Sequence, residues 1–158
     1  AEVAGTATAA GCQLVASCDL AYAAEGAHFA TPGVHIGLFC STPMVALSRN
    51  VAAKHAMEML LTGDPCKAPR AAEIGLLNEA VPADELTGRV MAVAAKIAAK
   101  STATVAYGKP AFYQQAEMTL ADAYQHAAAV MVENMLARDA EEGIAAFIEK
   151  RAPVWSDS

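Results

Sequence analysis

The stretch Val3-Ala4-Gly5-Thr6-Ala7-Thr8-Ala9-Ala10-Gly11-Cys12-Gln13-Leu14 decides how the chain is read. It opens apolar, passes a glycine, crosses a run of small residues and then turns compatible with a helix. Small side chains let backbone amides approach a ligand closely, and the first amides of a helix have no partner within it. Such amides, aided by the helix dipole, suit an anion or a carbonyl oxygen that is becoming one. A strand packed tightly on a helix uses the same residues with no ligand, so the stretch by itself leaves both readings open.

Composition narrows the field. A chain of 158 residues suits one domain, or a domain with an appendage. Hydrophobic content of 55% against 18% charged residues is enough for a packed core and argues against disorder. The formal charge of −6, without Lys/Arg clusters, makes nucleic acid an unsuitable partner. Cys12, Cys18, Cys40 and Cys66 lack paired metal-ligand spacing, and no metal is expected. With no secretory segment visible, they read as reduced intracellular thiols. No apolar run is long enough to span a bilayer.

Along the chain, Glu2 to Gly5 reads as a strand end and Ala10 to Ser17 as a short helix. Leu20 to Ala24 and His28 to Ala30 read as strands, the second stopped by the turn residues Thr31-Pro32-Gly33. Val34 to Leu38 leads into a loop, and Thr42-Pro43 reads as a helix start. Val51 to Leu61 is helical up to Gly63-Asp64-Pro65. Ala68 to Ile74 is a short helix stopped at Gly75, and Leu76 to Val81 a strand. Alternating short strands and helices imply an α/β fold. After Pro82 the pattern is all helix. Pro110 should kink or split a helix over Thr102 to Gln115. Thr119 with Asp122, and Asp139 with Glu142, read as variant capping boxes. Leu120, Tyr124, Ala127, Met131 and Met135 form a stripe whose simplest fate is burial in the chain's own core.

Gly5, Ala9-Ala10-Gly11, Cys12, Gln13, Leu14 and Cys18-Asp19 resemble the oxyanion-hole segment of the enoyl-CoA hydratase/isomerase (crotonase) family. Further matches follow in order: Phe29-Ala30-Thr31-Pro32, Gly37, Leu61-Thr62-Gly63-Asp64 and Ala72-Glu73-Ile74-Gly75-Leu76. Near the end come Glu142-Gly143-Ile144 and Phe147-Ile148-Glu149-Lys150-Arg151. The resemblance implies an α/β fold with a partial, C-terminal part of the crotonase spiral core over residues 1–82. A helical oligomerisation region over 83–158 would build a homotrimer or a dimer of trimers. It implies that a longer upstream part belongs to the complete protein, carrying core strands and a second oxyanion-hole amide. An intracellular setting is expected, cytoplasmic in a bacterium and mitochondrial in a eukaryote.

The same resemblance implies an acyl-CoA thioester as substrate, with coenzyme A present as part of it and no covalently bound cofactor. The Ala10 amide would hold the thioester carbonyl, while Phe147 and Lys150 would meet the adenine and phosphate end of coenzyme A. The departures matter as much. Hydratases of the family use two glutamates, and the aligned positions are Gln13 and Gly33. A neutral amide does not accept a proton as a carboxylate does, and glycine has no side chain. General acid–base help is worth roughly 10²–10⁴-fold, so hydration should be weak or altered. His28 precedes Phe29 and His35 follows Gly33 closely, and imidazole is the natural replacement base, with structural hydrogen bonding as the plainer role for each. Ser41 lacks a Gly-x-Ser-x-Gly setting, Cys40 reads as a small buried apolar residue, and Asp19 as a structural hydrogen-bonder. Two expectations stand: an enzyme of altered chemistry, or a non-catalytic acyl-CoA-binding or scaffolding protein of the same fold.

Overall fold

The computed structural model describes residues 1–156; residues 157 and 158, the end of the helical region expected over 83–158, lie outside the described residues. The chain divides into two compact units, Ala1–Ala92 and Val93–Ser158.

The first unit holds two small sheets. Parallel strands β1 (Glu2–Val3), β3 (Tyr22–Ala24) and β6 (Glu79–Val81) lie in the order β1-β3-β6. In the other sheet β2 (Ala7–Thr8) runs parallel to β4 (His28–Ala30), which pairs antiparallel with β5 (Cys66–Lys67). Strands buried on both faces read as continuous apolar runs rather than alternating ones. Tyr22, Ala23 and Ala24 are accordingly all buried, and alanine brings neighbouring elements close.

Around the sheets lie α1 (Ala10–Ser17), α2 (Ser41–Asn50), α3 (Ala53–Thr62) and α4 (Ala68–Glu73). Phe29, Leu47, Leu60, Cys12 and Val15 are central to the core they share. α1 packs on α2, and the Asn50 side-chain amide locks the pair by donating to the Ala16 carbonyl at 2.8 Å and the Ala46 carbonyl at 2.9 Å. Asn78 ties the end of α4 to the sheet: its Oδ1 accepts from the Ala21 N–H, and its own N–H donates to the Ala21 carbonyl, both at 2.8 Å. α3 ends at Gly63 in the left-handed region, φ 68°, as the Gly63-Asp64-Pro65 signal requires.

α5 (Leu86–Ala98) carries the chain onward to α6 (Thr102–Ala116), α7 (Leu120–Met135) and α8 (Arg138–Glu149). α6, α7 and α8 pack against one another. Ser101 caps α6 by accepting from the Thr104 N–H at 3.1 Å. Thr119 caps α7 through the Asp122 N–H at 3.3 Å, and its hydroxyl donates to the Asp122 carboxylate at 2.7 Å.

Several local expectations are corrected. Val34 to Ile36, expected to lead into a loop, belong to a short 3-10 turn over Pro32–Ile36 that continues the Thr31-Pro32-Gly33 signal, and α2 begins at Ser41, one residue before the expected Thr42-Pro43 start. α6 runs unbroken through Pro110. α8 begins at Arg138, with Ala137 at its N-cap making no side-chain cap bond, and the buried Asp139 accepts from the Ser156 N–H and hydroxyl at 2.7 and 2.8 Å. The α7 stripe is not buried in the unit's own core, for Leu120, Tyr124, Met131 and Met135 are all exposed. Periodicity identifies a face, not what covers it.

Phe29 has no exposed surface, pairs with Ala7 of β2 and Cys66 of β5, and belongs to the shared core. Phe29→Ala in the intact protein should cost about 3–5 kcal/mol, read as a lower denaturant midpoint at unchanged slope.

Candidate functional site

β2 and β4 run side by side in parallel, with Thr8 opposite Ala30. At the end of that ladder the Ala9 N–H donates to the Ala30 carbonyl at 2.9 Å. Ala9 itself adopts φ 47° and ψ −112°, a conformation that an L side chain rarely takes. Such a residue costs on the order of 1–3 kcal/mol and persists only where its surroundings over-determine it. Here the bond to Ala30 on one side and the first turn of α1 on the other do so, the Gln13 N–H closing onto the Ala9 carbonyl at 3.0 Å.

Ala10 is therefore the first residue of α1, where a helix amide has no acceptor within the helix. Among the described residues none accepts from its N–H, and Ala10 is exposed. α1 buries Cys12, Val15 and Ala16 and turns Ala10, Gln13 and Leu14 outward. Positions 10, 13 and 14 share a face by helical spacing. The Gln13 side chain is half-exposed and makes no hydrogen bond among the described residues. The thiol of Cys12, beneath them, is pushed up to about 11 by burial first and by the neighbouring Cys66 and Cys40 next. That suits a packing residue, not a nucleophile.

Gly33 follows β4 by three residues, so the parallel strands deliver Ala10, Gln13 and Gly33 to the same end of the sheet. Ligands of parallel α/β sheets collect at such carboxyl ends. Thr31, fully buried, anchors this corner by donating from its hydroxyl to the Met59 carbonyl at 2.9 Å. The Gly33 N–H donates to Cys40 Sγ at 3.4 Å, so Cys40 is a half-buried acceptor beside the core. The His35 ring lies against Gly63, close enough that a Cβ there would fall 2.8 Å from Nε2. His28 sits within β4 opposite Lys67. Asp19 is exposed.

Phe147 and Lys150 lie in the other unit. Phe147 is 84% exposed, and Ile144 and Ile148 on its face are exposed too. Phe147 lines an open hollow of about 370 Å³ with Thr104, Asn134, Gly143 and Trp155. The Asn134 amide nitrogen there is buried without a hydrogen-bond partner among the described residues. Lys150 closes α8 in the left-handed region, φ 56°, with its side chain in solvent.

Beyond α8 the chain folds back as a clasp. Trp155 donates to the Ala99 carbonyl at 2.9 Å and rests its ring on Gly143. Arg151 grips the Glu142 carboxylate in bidentate fashion at 2.6 and 2.9 Å, and the Val154 N–H adds a bond at 2.8 Å. The motif residues Glu142, Gly143 and Arg151 thus serve to hold the end of the chain beside Phe147.

Among the described residues no group of three or more His, Cys, Asp or Glu side chains could hold a metal ion, and no helix is long and apolar enough to cross a membrane.

Parallel strands ending at a helix start and a reversed turn make an α/β corner built mainly from backbone. The whole chain, residues 1–158, matches the sequence model of the family described as enoyl-CoA hydratase/isomerase, and the chain belongs to that family. It is 52% identical over 158 residues to the mitochondrial enoyl-CoA hydratase domain-containing protein 3 of Xenopus laevis, covering 100% of this chain and 54% of that protein. Its human counterpart is 53% identical over 156 residues, covering 99% and 52%. The crystal structure of an enoyl-CoA hydratase from Mycobacterium smegmatis superposes with a TM-score of 0.96 at 51% identity, over 98% of this chain and 60% of that one. The crystal structure of the human domain-containing protein 3 gives 0.93 at 54% identity, over 96% and 60%. The chain spans about half the length of the curated relatives it matches. The fold is the crotonase fold, a partial spiral core followed by helices.

The Arg151 and Val154 bonds hold the Glu142 carboxyl down at about 2 from its ordinary 4.5. The contribution of this pair to stability is complete above pH 4.5 and is lost as pH falls through about 2. A carboxyl titration by NMR should place the Glu142 midpoint near 2, and Arg151→Ala should return it toward 4.5.

Proposed function

We propose that this chain binds an acyl-CoA thioester, the Ala10 N–H receiving the thioester carbonyl as one donor of a backbone oxyanion hole. The observation that carries this reading is the Ala9 backbone: a strained residue, fixed by Ala30, that leaves the next amide unpaired and facing outward. Strain of this kind collects where a ligand is held. Alanine serves because the donor is main chain.

A preorganised amide at a helix start stabilises charge as it develops on the carbonyl oxygen, without reorganising during the step. Removing one such donor typically costs about 2.7–4 kcal/mol. The second donor belongs to the upstream part that the family resemblance implies. Gln13, on the same helical face, orients an acyl group or a water molecule but takes no proton. Position 33 offers no side chain. The reaction is therefore not efficient hydration, and a non-catalytic acyl-CoA-binding protein of this fold is the second reading, favoured by the missing carboxylate pair.

Phe147 and Lys150 are assigned to the adenine and phosphate end of coenzyme A. An exposed aromatic face stacks on a base, and an ammonium in solvent meets a phosphate. The exposed α7 stripe is assigned to contacts between copies in a homotrimer or a dimer of trimers, with residues 83–158 as the oligomerisation region and 1–82 as part of the core. The similarity to mitochondrial relatives supports a mitochondrial setting if the source is eukaryotic.

The test is the intact protein with crotonyl-CoA, following binding by calorimetry and turnover by loss of the enoyl absorbance. Binding with turnover roughly 10²-fold or more below a family hydratase that has both glutamates is expected. Turnover at ordinary hydratase rates overturns the assignment of Gln13 and Gly33. Conversion of another member of a thioester panel selects the enzyme reading, and binding without any conversion the second.

A further inference from the structure

The turn after β4 closes over Gly33. Gly37 takes φ 76°, which reverses the chain, and the Leu38 N–H then donates to the Gly33 carbonyl at 2.9 Å. This brings the Leu38 carbonyl oxygen and Cys40 Sγ onto the α-carbon of Gly33. A Cβ built there would lie 2.6 Å from that oxygen and 3.0 Å from that sulfur. The oxygen is backbone, held by the hydrogen-bonded turn and by the start of α2 at Ser41, so it has no rotamer by which to withdraw. Position 33 is therefore not an empty socket awaiting a side chain. Its space is already filled.

We propose that the closed turn sets the specificity of this site: the Leu38 backbone carbonyl and the Cys40 thiol bar any side chain from position 33. The site is one-sided by construction, with Gln13 as its functional side chain on α1. The ligands it suits are acyl thioesters that are held, or that react, without a proton donor or acceptor on the position-33 side. A lost glutamate alone would be restored by one substitution; a filled position would not. This inference rests on the proposed reading of Ala10 and position 33, but its steric core does not.

The experiment has two arms in the intact protein. In the first, Gly33→Ala is compared with Gly26→Ala, a glycine whose added Cβ meets nothing within 4 Å. Gly33→Ala should melt several degrees lower, or fail to fold, while Gly26→Ala stays within about 2 °C of the parent. Equal melting of both variants overturns the proposal. In the second, Gln13→Glu is compared with Gln13→Glu/Gly33→Glu in crotonyl-CoA hydration. A gain below about tenfold on adding the second glutamate is expected, and a larger one, toward the 10²–10⁴-fold of a working acid–base group, overturns it. If the parent fails to bind crotonyl-CoA, the acyl-CoA reading falls, while the glycine comparison still decides whether position 33 is closed.

Discussion

One backbone hydrogen bond organises the candidate site: the Ala9 N–H to the Ala30 carbonyl at 2.9 Å. It extends the β2–β4 ladder by one residue and holds Ala9 at φ 47°, so that the chain leaves the sheet and enters α1 at once. The unpaired Ala10 amide, the outward face of Gln13 and Leu14, and the proximity of Gly33 all follow from that corner. The supporting structure serves to keep α1 from shifting. Asn50 holds its end to α2, and Cys12, Val15 and Ala16 fill the core beneath it.

Against this backbone geometry stand the side chains. The donor proposed here is backbone, which substitution scarcely touches, whereas acid–base chemistry resides in side chains, which substitution removes. Gln13 and Gly33 place this chain at that division. A shared fold with an enoyl-CoA hydratase, at a TM-score of 0.96, does not by itself decide the reaction, which is argued from the side chains of the site.

Much of this was legible in the residues. The small-residue run stands, as read, just before a helix start, Thr31-Pro32-Gly33 signals the turn that follows β4, and Thr119 with Asp122 signals a cap that forms as expected. The blocks that resemble the family held their order along the whole chain. What was not legible had local physical reasons. The strained residue is Ala9 rather than the nearby Gly11, so nothing in the side chains marked the left-handed backbone. Asp139 had the spacing of a cap, but the returning tail brings Ser156 to it instead. The α7 stripe is an apolar face as the spacing indicates, yet it is exposed, because spacing along a helix carries no information about its cover. The closure over Gly33 depends on a chain reversal at Gly37, which places residues 38 and 40 where no pattern within a helix or strand would put them.

The account turns on where the Ala10 N–H points when a ligand is present. A crystal structure of the intact protein with a non-reactive acyl-CoA analogue measures this directly. The carbonyl oxygen of the analogue should lie about 2.7–3.1 Å from the Ala10 nitrogen, with Ala9 still bonded to Ala30. An analogue bound elsewhere, or an Ala10 N–H paired with a protein acceptor, would contradict it.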